Sequence, residues 1–352
     1  MGTIISLLVL SFLIFFHELG HFMAARFFGV HVEVFSIGFG KKIYTKTLGK
    51  TQYALSMIPL GGYVQMKGQD DMDPTKVSND QDSYNTKKPW QRIIILLAGP
   101  FANFVLAFFL YIAIGNIGVA KFAPIIGQVS KESPALVSGI KPKDKILSIN
   151  NIKIKSWDDL SKKIRKSKGE LFFKIKRGDK IIKIIVAPKI HKYKNMFGET
   201  KEKKMVGISP KGDTIIVKYG LMQSIPFALE ETKNATTMIV QSLKKLVEGV
   251  VPAKDLGGIV SIVQVTAKAS AIGIVALFGL TALISVNLGV LNLLPIPALD
   301  GGHIMFNLYE MITKRAPSER VLYYLTLGGW AFLLSLMAFT IFNDIYRIAG
   351  GQ

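Results

Sequence analysis

The chain has 352 residues, room for about two soluble domains at roughly 150 residues each, yet 49% of it is hydrophobic and its mean hydropathy is +0.34. These values argue against a wholly soluble protein. The formal charge of +20 is concentrated, with 30 basic against 13 acidic residues between positions 121 and 268, so the apolar content lies elsewhere. The absence of cysteine excludes a disulfide framework, a thiolate-held cluster, a cysteine nucleophile and any Cys-ligated metal. A metal here has only His, Asp or Glu to bind it.

Four stretches, 3–25, 93–120, 269–299 and 321–343, are long enough to cross a hydrocarbon core, which takes about 20 apolar residues in a helix. The last three contain no Asp, Glu, Lys or Arg, whereas the first carries Glu18 between His17 and His21. That first stretch has neither a basic leader nor a small-residue cleavage site before its polar cluster, and is expected to be a retained span.

Between the first two spans, residues 28–67 alternate apolar and polar positions and are punctuated by Gly38, Gly40, Gly61 and Gly62, a pattern of strands and tight turns. The polar run Gly68–Pro74 is expected to form a mobile loop. Residues 121–190 read as a compact α/β module, with strands at 125–129, 145–149, 171–176 and 181–187 and a helix at 156–167. The Lys-rich stretch 191–223 is expected to be an irregular linker. Region 224–268 opens with helical spacing at Ala228, Ala235, Ile239, Leu243, Leu246 and Val250, predicting an amphipathic helix on the membrane or against the bundle.

Basic residues close to the spans, Arg26, Lys41, Lys42, Lys87, Lys88 and Arg92 in one loop and Lys314, Arg315 and Arg320 in another, place both loops in the cytoplasm. Segments longer than about 60 residues translocate largely regardless of charge, so the basic module is expected outside with the amino terminus. No nucleic-acid-binding motif accompanies the positive charge. Its lysines suit an anionic lipid surface, or reflect the composition of the source genome.

His17-Glu18-Leu19-Gly20-His21 is an H-E-x-x-H sequence. On a helix its imidazoles fall four residues apart on one face, where both can bind one Zn²⁺. Glu18 projects beside them, placed to take a proton from a water activated by the metal and to pass it to a leaving amine. Three ionisable groups inside a span are costly, at least about 2.5–3.5 kcal/mol each at the bilayer centre, and a bound dication compensates them. A catalytic zinc usually takes a third protein ligand. Asp300, just past the third span, is the obvious candidate. His17 lies about 20 Å into its helix at 1.5 Å per residue, near the cytoplasmic end, and Pro295 and Pro297 interrupt the third span so that Asp300 can turn back to similar depth. Asn292 is aimed either at a substrate carbonyl or at holding the loop. His303 is open between donor, substrate contact and headgroup-level residue, while His31 and His191 read as ordinary surface positions.

Taken together, H-E-L-G-H at 17–21, L-G-G-Y-V-Q-M-K-G at 60–68, A-G-P-F-A-N at 98–103, N-L-L-P-I-P-A-L-D-G at 292–301 and the run Ser133–Asn151 resemble the site-2 protease family of intramembrane zinc metalloproteases, of the bacterial RseP/RasP type. The resemblance implies a polytopic α-helical membrane protein with four transmembrane helices, a membrane-associated β-hairpin region and an extramembrane PDZ-like α/β domain. It implies that His17, His21 and Asp300 bind Zn²⁺, that Glu18 activates water, and that Asn292 and Pro297 help position substrate. The segment 53–67, with Gly61, Gly62, Tyr63 and Val64, would be a membrane-reentrant hairpin lending an unpaired edge to an unwound substrate. Expected substrates are single-span membrane proteins, anti-sigma factors or signal-peptide remnants, cut in the bacterial cytoplasmic membrane by regulated intramembrane proteolysis, with the PDZ-like domain restricting access from outside. Some relatives carry two PDZ modules in tandem, whereas this chain has room for one. Two rival readings remain: an inactive membrane scaffold recruiting partners through its PDZ-like domain, and a zinc transporter, which spans lacking further ionisable ligands disfavour.

Overall fold

The computed structural model describes residues 2–69, 78–195 and 198–350. Most of the polar run expected to form a loop at 68–74 therefore lies outside the described residues. The chain forms two compact units, residues 1–113 with 225–352, and residues 114–224.

In the first unit, α1 (Gly2–Phe27) buries Ser6, Leu10, Leu13, His17, His21 and Ala25. These steps of three and four residues trace one stripe along a helix. Ile4, Leu8, Phe12, Met23 and Phe27 stay exposed, as a bilayer-facing surface requires. The two histidines thus point inward because they share the register of the packing stripe.

Two long ribbons follow, β1 (Val32–Leu48) and β2 (Thr51–Met66), and each runs through the sheet twice. Gln65 to Gly62 lie opposite Val34 to Ile37, the same β1 residues lie opposite Gln52 to Leu55, and Tyr44 to Leu48 cover the other side of Leu55 to Thr51. Across the sheet the order is 62–66, 32–37, 51–56, 42–48. The bends fall at glycine: Gly38, Gly40 and Gly61 have φ of +89°, +84° and +137°, a region L side chains rarely enter. The hairpin expected over 53–67 is thus split, its halves lying on either side of residues 32–37, because β1 is long enough to accept both. Residues 62–66 are left as an edge, paired among the described residues only with 32–37.

Among the described residues, four helices are long and apolar enough to cross a membrane: α1, α2 (Pro89–Ile117), α7 (Ile274–Asn292) and α9 (Glu319–Ile348), the last two following α5 (Leu221–Val247) and α6 (Ile259–Ile272). The third span was expected from 269. The helix instead breaks at Gly273, with φ +137°, so residues 269–272 end α6. Hydropathy alone does not register this break, since both flanks are apolar. The expected amphipathic helix is α5, and it lies against the bundle: Ala235 and Ile239 join Ala107, Ala282, Val286 and Val290 in one buried cluster. Helix α8 (Asp300–Thr313) replaces the loop expected there. An acidic residue in its first turn complements the helix dipole. Asp344 on α9 accepts from Gly258 N and Ser261 N at 3.1 and 3.0 Å, satisfying N–H groups left over at the start of α6.

The second unit holds α3 (Pro134–Val137) and α4 (Trp157–Arg165) beside a sheet ordered β6 (Ile152–Lys153), β5 (Lys145–Ile149), β7 (Leu171–Arg177), β8 (Lys180–Val186). Leu171, Phe173 and Ile175 alternate inward and pack with Ile126, Ile146, Leu160 and Val186. The linker expected over 191–223 is mostly ordered. It contains the hairpin β9 (Lys189–Lys194) and β10 (Thr200–Met205), then β11 (Ile208–Pro210) on β4 (Ile126–Val129), and β12 (Thr214–Val217) on β3 (Val119–Phe122). Lysines conceal these strands because the β9–β10 ribbon is exposed and buries little that an apolar alternation would reveal.

Asp144 is fully buried and receives Arg177 Nε and Nη2 at 2.8 Å each and Lys141 N at 2.8 Å. This pair holds the Arg177 pKa above its usual value through the hydrogen bond to Asp144. Asp144→Ala leaves a guanidinium and an amide without their acceptor. We expect it to destabilise the 114–224 unit by about 2 kcal/mol, less than a fully buried pair because Arg177 is partly solvated. Proteolytic susceptibility of this unit in the full-length protein is the measurement, and protection equal to wild type would refute the role.

Candidate metal centre

His17 and His21 sit one turn apart on α1 with Nε2 atoms 3.1 Å from each other. Asp300 closes the group: its Oδ2 is 3.3 Å from His17 Nε2 and its Oδ1 is 3.5 Å from His21 Nε2. The three donor atoms lie within 4.8 Å of one another. Asp300 reaches them because the chain leaves α7 after Asn292 and runs irregularly through residues 293–299, held by short turns such as Ile296 N to Leu294 O at 2.7 Å. Gly301 and Gly302 allow the close return. A Cβ on Gly301 would stand 2.2 Å from Leu294 O, and one on Gly302 2.3 Å from Ile296 O.

This donor set fits a zinc ion. Asp300 Oδ2 is buried and has no hydrogen-bond partner among the described residues, and two imidazole lone pairs converge on the same space. A divalent cation satisfies all three. The surrounding groups fix the imidazoles in the ligating form. Because a carbonyl only accepts, His21 Nδ1–H donates to Ile95 O at 2.9 Å, leaving Nε2 free to ligate. At His17 the Asn103 amide faces Nδ1 at 3.3 Å, while Asn103 Oδ1 otherwise lacks a partner. The amide orientation that satisfies both has Nδ1–H donating to Asn103 Oδ1. Asn103 is itself anchored, its backbone oxygen accepting from Ser285 Oγ at 2.8 Å. Such outer partners orient metal ligands and raise their basicity.

Helix α2 approaches α1 through glycine. A Cβ on Gly99 would lie 2.1 Å from His21 Nε2, and one on Gly20 2.2 Å from Ala98 O. Gly99 and Asn103 fall in the A-G-P-F-A-N motif, to which the sequence by itself gives no role. An amide in an otherwise apolar helix is the signal that would have singled out Asn103.

A cavity of about 360 Å³ opens on these donors. Glu18, Gly61, Gly62, Val64 and Asn292 line it, as do His303, Trp330 and Phe39. A Cβ on Gly62 would lie 3.5 Å from Glu18 Cγ, so the sheet edge and the carboxylate are neighbours. Asn292 Nδ2 is 3.4 Å from His17 Nε2, facing the metal position. Tyr63 turns away and stacks on Phe39, ring centroids 6.2 Å apart. Pro297 is not among the lining residues. It lies beneath Gly302, its Cα 2.5 Å from where a Cβ there would stand. His31 bonds Lys50 O through Nε2 at 2.9 Å and takes no part.

Two histidines and an aspartate that could hold one ion, with a glutamate beside them, are a donor set of the kind that metal-dependent hydrolases use. A family model described as Peptidase family M50 matches residues 5–336, and the chain belongs to that family, the site-2 proteases. Relatives named "putative zinc metalloprotease" share its full length: one from Campylobacter jejuni is 50% identical over 98% of this chain and 93% of its own. One from Helicobacter pylori J99 is 40% identical over 98% and 99%, and one from Clostridium acetobutylicum is 37% identical over 99% and 98%. The cofactor is zinc.

Asn103→Leu removes the acceptor at His17 Nδ1 and is expected to weaken zinc binding about 10- to 100-fold, measured by competition with a chromogenic chelator. Gly99→Ala should do likewise by displacing the His21 ring, and unchanged affinity in both variants would remove α2 from the support of the site.

Proposed function

We propose that the chain is an intramembrane zinc endopeptidase that cuts single-span membrane proteins within or near the bilayer. The observation that carries this reading is the position of the donors. His17 and His21 lie on the buried stripe of a helix long and apolar enough to cross a membrane, beside an edge strand that opens on the same cavity.

Zinc, when bound, supplies Lewis acidity at the scissile carbonyl and makes water a nucleophile near neutral pH. The Glu18 carboxylate accepts the proton of the attacking water and returns it to the leaving nitrogen as the C–N bond breaks, so that one water yields one carboxylate and one amine. Asn292, facing the metal position, donates to the carbonyl oxygen as it gains charge. A helical substrate hides its amides and must unwind first. Pairing with residues 62–66 compensates the exposed backbone, which has no water to turn to in hydrocarbon. Pro297 shapes the loop that delivers Asp300.

Residues 121–190, within the 114–224 unit, constitute a PDZ-like domain on the extracytoplasmic side of the bacterial cytoplasmic membrane, restricting access to substrates already shortened elsewhere. Anti-sigma factors and signal-peptide remnants fit this geometry, as parts of regulated intramembrane proteolysis.

Glu18→Gln is expected to retain zinc while lowering the cleavage rate at least about 10²-fold, read from new peptide ends in a reconstituted assay. Wild-type turnover by this variant would remove Glu18 from the chemistry. Asp300→Asn should lose both zinc and turnover. A substrate captured equally by wild type and Glu18→Gln, with no new ends from either, would instead support a scaffold.

A further inference from the structure

The 114–224 unit carries a cleft of about 660 Å³ that neither the hydrolytic site nor the sheet edge uses. Lys153, Lys155, Lys162, Lys163, Lys166 and Lys168 line it. Its one carboxylate, Asp159, is committed to capping α4, accepting from Lys155 N and Ser156 N at 3.1 Å each. Lys153, Lys155, Lys163, Lys166 and Lys168 have no ion pair among the described residues. A second cleft of about 700 Å³ shares Lys153 and Lys155, adds Lys145, Lys174 and Lys218, and is lined by no acidic residue. Positive charge that outweighs the one carboxylate in a concavity attracts an anion.

The position of the clefts selects the anion. Tyr219 lines the first, and its N–H donates to Gly115 O at 2.8 Å, in the last turn of the apolar helix α2. Strand β3 begins two residues after that helix ends and pairs with β12, whose Ile215, Ile216 and Val217 line the second cleft. Both clefts therefore lie at the end of the unit that α2 enters, a helix long and apolar enough to cross a membrane. Ile152, Phe122 and Ile216 are exposed there, 48%, 47% and 63% accessible. A lipid brings charge and acyl chain together, matching lysines that stand beside exposed apolar side chains.

We propose that this lysine-lined cleft binds the phosphate headgroup of an anionic phospholipid. It is a lipid site that fixes that end of the unit at the membrane surface, and it does not depend on the proteolytic reading. It is built from side chains on three elements: the β5–β6 turn region, α4 and the segment following β12.

Native mass spectrometry of the full-length protein, released from neutral detergent micelles doped with phosphatidylglycerol or phosphatidylcholine of equal chain length, tests it. Wild type is expected to retain phosphatidylglycerol in preference to phosphatidylcholine. Combined Lys153→Gln, Lys163→Gln and Lys166→Gln should weaken retention at least about tenfold, while arginine at the same positions should preserve it. Lys189→Gln, Lys192→Gln and Lys201→Gln, on the β9–β10 hairpin, remove the same charge away from the cleft and should leave retention unchanged. Equal loss from this control set would show general basicity rather than a site and overturn the proposal. Equal retention of phosphatidylcholine would overturn it too, as would displacement of the lipid by inorganic phosphate or a Glu-rich peptide at matched concentration.

Discussion

The constraint on which the rest of the structure depends is that ionisable groups in an apolar bundle must satisfy one another. His17, His21 and Asp300 do so by crowding their donor atoms within 4.8 Å around a space that suits one cation, and much of the surrounding architecture is explained by that requirement. The imidazoles occupy the inward stripe of α1. Gly20 and Gly99 let α2 come close enough for Ile95 and Asn103 to hold the rings. The irregular run 293–299 and the small residues at 301 and 302 let the aspartate arrive from a remote part of the chain.

The same economy extends to the sheet. Residues 62–66 lie along the cavity because β1 and β2 bend at glycines and pass through the sheet twice. The free edge is a product of that doubling. It brings backbone hydrogen-bonding capacity next to Glu18 without adding another charged group to an apolar surround, and it connects the shape of the sheet to the chemistry of α1.

Much of this was legible in the sequence. Apolar length announced four long helices, and H-E-x-x-H with an aspartate after a proline-interrupted span announced three side chains that the fold brings together, because hydropathy and ligand spacing are local properties. What stayed hidden depends on contacts between distant segments. Asn103 matters through an imidazole on another helix, and a lone amide does not declare its partner. The sheet order depends on where β1 bends, and alternation in 28–67 shows strands without showing which pair. The break at Gly273 separates two equally apolar flanks, α8 follows directly on a proline-rich run, and the lysines of 189–205 hide a ribbon with little to bury.

Asp300 lies close to three hundred residues beyond the first histidine, a separation with a temporal meaning. During synthesis the opening helix enters the bilayer long before its third ligand has been made. The group is complete only when the start of α8 has packed against α1, so the candidate centre belongs to the whole fold and to no single segment.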